Sequence, residues 1–128
     1  SYFETIGYYT GAQGGSKAAF RKGVTEVFQD LATADPADMK AFVDALYKDA
    51  RCGLYHNVRS ARVGLGWPPE PEAVAYDRQD GRVVVSPERL PKVIMAHLDR
   101  FRNALLDHGN RQLREAFEAR FDIDSSAA

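Results

Sequence analysis

Pro36–Asn57 reads PADMKAFVDALYKDARCGLYHN, and the fold class turns on how its apolar residues are spaced. Met39, Phe42, Val43, Leu46, Tyr47 and Ala50 recur at three- and four-residue steps, which places them along one side of an α-helix. Asp35-Pro36 supplies a start: the carboxylate caps free amides, and proline in the first helical position forfeits no hydrogen bond. The spacing predicts a helix from Pro36 to about Leu54. Upstream, Tyr2, Phe3, Ile6 and Tyr9 predict a short helix over residues 1–10, ended by the glycine-rich run at 11–15. Ser16 is then placed to cap a second helix, whose stripe is Phe20, Val24, Val27, Phe28 and Leu31.

Downstream of Arg62 the pattern changes. Gly64-Leu65-Gly66-Trp67-Pro68-Pro69-Glu70-Pro71 is expected to be irregular, since each of its three prolines lacks an amide donor. Residues 73–77 and 82–85 read as two short strands, with Asp80-Gly81 as the turn signal between them. A lone hairpin is marginal in water, so this one is expected to lie on the helices. A fourth long stripe, Leu90, Val93, Ile94, His97, Leu98, Phe101 and Leu105, begins near Leu90-Pro91 or already at Ser86-Pro87. Gly109 ends it. Asn110 is placed to cap a last helix carrying Leu113, Phe117 and Phe121, with fraying expected over residues 122–128. The expected fold is mostly α: a bundle of four to five helices with a small β-hairpin insertion at about 73–85, one domain over residues 1–128.

Length and composition bound the function. A chain of 128 residues suits one core. Its net charge of −1 excludes a protein basic throughout, so any nucleic-acid footprint must be local. The single cysteine, Cys52, forms no internal disulfide, which suits a reducing cytoplasm; that is the expected location. No apolar run approaches the roughly 20 residues of a membrane-crossing helix, and no leader is recognisable, so no membrane role is expected.

The local footprint lies at the end of the opening stretch. Between Lys48 and Arg62 stand four basic residues, Lys48, Arg51, Arg59 and Arg62, against Asp49 alone, a local +3. His56 sits among them, and Tyr47 and Tyr55 offer rings on which bases can stack. The plainer reading is a solvated helix end, whose dipole favours basic side chains. Five residues along a straight helix turn two side chains apart by about 140°. Arg51 and His56 therefore meet across a bend, for which Gly53 is suited, by the long arginine sweeping round the helix, or across two chains.

Ala50-Arg51-Cys52-Gly53-Leu54-Tyr55-His56-Asn57 resembles the Arg-x-x-x-x-His motif of HEPN domains (higher eukaryotes and prokaryotes nucleotide-binding), most closely a bacterial branch with Arg-Cys-Gly-Leu before the histidine. Tyr2 to Gly7 and Lys22 to Phe28 are similar to the helices preceding that motif. The resemblance implies a helical bundle that dimerises, bringing two Arg/His pairs into a shared cleft. It implies metal-independent endoribonuclease activity, often as a toxin or in antiphage defence, or a nucleotide- or RNA-binding module in members that have lost activity. Arg51 and His56 are then catalytic, Arg51 holding charge on the scissile phosphate and His56 exchanging a proton with the 2′-hydroxyl or the leaving oxygen. Lys48, Tyr55, Asn57, Arg59 and Arg62 are the candidate substrate-binding residues. The expected partners are a second copy of the chain, RNA or a nucleotide, and an antitoxin or other protein. No cofactor is expected, and no His, Cys, Asp or Glu cluster has metal-ligand spacing. Active members often carry Asn, Asp or His after the arginine, where this chain has Cys52. Where a nucleotidylated branch has tyrosine two places after the histidine, it has Val58.

Other candidates read as structure. Gly14-Gly15-Ser16-Lys17 lacks the strand and longer spacing of a phosphate-binding loop and reads as turn plus cap. His97 lies on an apolar stripe, as a hydrogen-bonded core histidine does. His108 sits at a helix end, where a cation suits the dipole. Trp67 is expected to pin its loop to the helices.

Overall fold

A computed structural model of the chain describes residues 1–29, 36–48, 63–65, 73–77, 79 and 81–126. In order they form α1 (Tyr2–Tyr9), α2 (Ser16–Val27), α3 (Pro36–Ala45), β1 (Val63–Leu65), β2 (Val74–Asp77), β3 (Arg82–Val85), α4 (Arg89–Leu106) and α5 (Arg111–Ser126). The protein is mostly α-helical, with one small sheet among the described residues. It divides into two compact units: Ser1–Val27 with Ala96–Ala128, and Phe28–Met95.

In the first unit, α1 and α2 cross with their backbones in contact. A Cβ built on Gly7 would stand 1.8 Å from the Ala19 carbonyl oxygen, and one on Gly23 would stand 1.7 Å from that of Phe3. The two contacts run in opposite chain directions, so the helices are antiparallel. Only glycine lets backbones approach so closely. Around this crossing Ile6, Ala19, Phe20, Val24 and Val27 are buried, and Phe3 meets the Phe20 ring edge-on at 5.6 Å. The Ser1 hydroxyl caps α1 by accepting from the Glu4 amide at 3.4 Å. At its other end the Gly11 amide donates to Tyr8 and the Ala12 amide to Gly7, with Gly11 at φ +97°. This Schellman closure explains the glycine. Ser16 behaves otherwise than the sequence suggests. It is the first helical residue of α2, and its buried Oγ lacks a hydrogen-bond partner among the described residues, so it does not cap the helix.

The second half of α4 and all of α5 complete this unit. The Phe117 ring lies 4.8 Å from Tyr9 and 6.3 Å from Phe101. The Arg114 guanidinium donates to the Leu105 carbonyl. The last helix continues to Ser126, past the point where fraying is expected. Its final turns are held by the Tyr9 hydroxyl donating to Asp124 at 2.8 Å, and by an Arg120–Asp124 ion pair at 3.0 Å. Leu98, on the expected apolar stripe of α4, is instead 41 % exposed.

In the second unit, Phe28, Phe42, Val43, Ala45 and Leu46 are buried, with Phe28 and Phe42 edge-on at 6.4 Å. A wide, π-type turn over 46–48 follows α3, and the expected continuation of that helix to Leu54 lies outside the described residues. The hairpin is as expected: β2 pairs antiparallel with β3, from Val74 against Val85 to Asp77 against Arg82, and Gly81 turns at φ +63°. The sheet has a third member. β1 pairs in parallel with β3, giving the order β1-β3-β2, and corrects the expectation that the chain is irregular from Gly64 onward. Val63, Gly64 and Leu65 precede the prolines and keep their amides, so a ladder is open to them. Val83 of central β3 is fully buried.

The strand-to-helix junction is built on Ser86. Its amide extends the sheet by donating to the Ala73 carbonyl at 2.8 Å. Its hydroxyl accepts from the Arg89 amide at 3.1 Å, and its carbonyl accepts from Leu90. Ser86 therefore closes the turn of Pro87 and Glu88 that leads into α4, and the helix itself begins at Arg89, beside the later of the two starts considered.

Candidate functional site

The candidate site depends on the chain between α3 and β1. Lys48, exposed at the end of the wide turn, is the first basic residue of the cluster and lies at the edge of the described chain. Arg51, Cys52, Tyr55, His56, Asn57, Arg59 and Arg62 lie outside the described residues, as does Trp67. The described elements on either side both belong to the second unit. Before the segment, α3 buries Phe42, Val43 and Ala45, and Leu46 is buried in the turn that follows. After it, Val63 opens β1 in register with Val83. Basic residues 48–62 thus join a helix seated in a core to a strand paired at a sheet edge.

The described polar chemistry lies mainly in the first unit. His97 is 5 % exposed, and its Nδ1 stands 2.7 Å from the Tyr2 hydroxyl. The ring lies edge-on to Tyr2 at 5.8 Å and stacks on Phe101 at 6.0 Å. Burial, aided by the nearby Arg100 cation, pushes the imidazole below its ordinary value, and Glu26 opposes this weakly. Burial likewise raises the Tyr2 phenol, with Arg100 acting against it. A histidine so held is neutral near pH 7 and engaged by a phenol, which is the hydrogen-bonded core histidine expected from its stripe. Tyr2 as its partner was not legible, because nothing in either stripe pairs residues 95 positions apart.

A second cluster joins α1 to α5. Arg120 lies 4.1 Å from the centre of the Tyr8 ring and pairs with Asp124, whose carboxyl is drawn below its ordinary range first by the Tyr9 hydroxyl. His108 is exposed beyond the end of α4. Among the described residues no three His, Cys, Asp or Glu side chains gather closely enough to hold a metal ion. No described helix is long and apolar enough to cross a membrane.

Compared with protein-family models, curated proteins and solved structures, the chain finds no match in any of the three.

Proposed function

We propose that the protein is a metal-independent endoribonuclease of HEPN type, with Arg51 and His56 as its reacting pair. The observation that carries this reading is the Arg51-x-x-x-x-His56 spacing within a local +3 stretch, directly after the helix led by Pro36. The mostly helical fold supports it as well. An arginine keeps its charge at any cellular pH and presents a fork that matches two phosphate oxygens. A histidine takes or gives a proton near neutrality.

In this reading one imidazole removes the 2′-hydroxyl proton as the oxygen attacks phosphorus. The bond to the 5′-oxygen breaks, and that oxygen takes up a proton. The products are a 2′,3′-cyclic phosphate and a 5′-hydroxyl. Arg51 offsets the charge gathering on the non-bridging oxygens. Lys48, Arg59 and Arg62 attract the backbone, while Tyr55 and Asn57 engage bases or ribose. Two copies sharing a cleft bring the pairs together, and a toxin or defence role in the cytoplasm, held in check by a partner protein, follows the same resemblance.

A second reading is a binding module that holds RNA or a nucleotide without cutting it, favoured by Cys52 beside Arg51 and by the near-neutral net charge. Incubation of the purified protein with mixed transfer and messenger RNA in chelator separates the two. Discrete cuts ending in cyclic phosphate support the ribonuclease. Salt-sensitive binding without cuts supports the module.

A further inference from the structure

We propose that Tyr2 and His97 form an acid-sensitive latch, holding the first turn of α1 against α4 within the first unit. This stands apart from the Arg51/His56 reading and uses none of its residues.

The argument rests on placement. Tyr2 is the first residue of α1, and its hydroxyl reaches the imidazole of a helix more than ninety positions away at 2.7 Å. Phe101 stacks on the imidazole at 6.0 Å and is backed in turn by Phe117 of α5. Burial and the Arg100 cation make the surroundings suit a neutral ring. The charged and titratable groups around it come from three helices. Tyr2 on α1 supplies the hydroxyl, Arg100 on α4 opposes a second cation, and Glu26 on α2 favours one. The carboxylate is the weakest of these influences, and burial is the strongest.

A neutral imidazole with its proton on Nε2 accepts the Tyr2 hydroxyl at Nδ1. When Nδ1 is protonated it becomes a donor, so the contact must reverse with a cation left buried and beside Arg100. Swinging the first turn of α1 away returns the imidazolium to water. Below the ordinary histidine value of 6.5, the released form binds a proton that the latched form refuses. Release is then favoured about tenfold for each further pH unit, until the latched histidine also titrates.

The test is hydrogen exchange of the α1 amides in the whole protein at pH 7.5 and pH 5, corrected for intrinsic rates. It is run on the wild type and on His97→Gln, whose amide oxygen still accepts from Tyr2 but carries no charge. The wild type is expected to lose protection at residues 5–9 in acid, by up to about thirtyfold. His97→Gln is expected to keep its protection. Equal protection at both pH values in the wild type, or the same acid loss in His97→Gln, overturns the latch. If His97→Gln does not fold, the wild-type imidazole is titrated by NMR: a midpoint below 6.5, with Tyr2 resonances following it, supports the latch, and one at or above 6.5 overturns it.

Discussion

Gly23→Ala is expected to destabilise the protein although alanine is the better helix former. In an open helix interior this change gains about 1 kcal/mol. Here the added Cβ would stand 1.7 Å from the Phe3 carbonyl oxygen, half the 3.4 Å at which ordinary contact begins. The neighbour is backbone, so relief requires α1 and α2 to part. Parting them loosens Ile6, Phe20 and Val24, which fill the crossing. Overpacking of this kind costs about 1–3 kcal/mol and sometimes more, and a backbone obstacle belongs at the upper end. Set against the helical gain, the net loss is about 2 kcal/mol. With a urea slope near 1.5 kcal/mol/M, the midpoint followed by helical circular dichroism falls by roughly 1.3 M. Gly7→Ala, 1.8 Å from the Ala19 carbonyl oxygen, is expected to behave alike, while Gly15→Ala, with nothing within 4 Å, leaves the midpoint nearly unchanged. A Gly23→Ala protein as stable as wild type, or more so, would refute the close crossing.

Ser86→Ala removes the hydroxyl that accepts from Arg89 and is expected to cost about 1 kcal/mol in urea unfolding, with Ser86→Thr recovering most of it. Asp124 is held below its ordinary value of 3.8 by the Tyr9 hydroxyl, so its contribution is present above 3.8 and fades as pH falls through the lower folded value. A carboxyl NMR titration of Tyr9→Phe is therefore expected to move the Asp124 midpoint back up toward 3.8, and an unmoved midpoint would remove the tether between α1 and α5. If Arg51 of one copy meets His56 of another, mixing inactive Arg51→Ala and His56→Ala proteins recovers about a quarter of wild-type cutting, since half the dimers are mixed and hold one intact pair. No recovery places the pair within one chain.

Much of the fold was legible because helices announce themselves by period. The stripe from Phe20 to Phe28 is buried residue by residue, and the Gly11 and Gly81 turns fall where glycine suggests them. Apart from Ser16, the misreadings share a cause: contacts distant in sequence. Three residues, Val63 to Leu65, are too few to show a period, and they form a strand because β3 offers a parallel edge. Asp122 to Ser126 looks like a tail until Tyr9 fastens Asp124. Leu98 sits 100° round the helix from His97, on a flank that a stripe reading counts as inside although the bundle leaves it open. The candidate site divides the same way. Its residue types and spacing are sequence properties, whereas whether an arginine meets a histidine five places on depends on the fold or on a second copy.

The central claim is that Arg51 and His56 do chemistry, and single-turnover cutting of RNA in chelator tests it most directly. Wild type, Arg51→Ala and His56→Ala are compared after their circular dichroism and urea midpoints are matched. The account predicts cyclic-phosphate ends from the wild type and a loss of about 10²–10⁴-fold in rate for each variant. Correctly folded variants that both cut within about tenfold of wild type would contradict it.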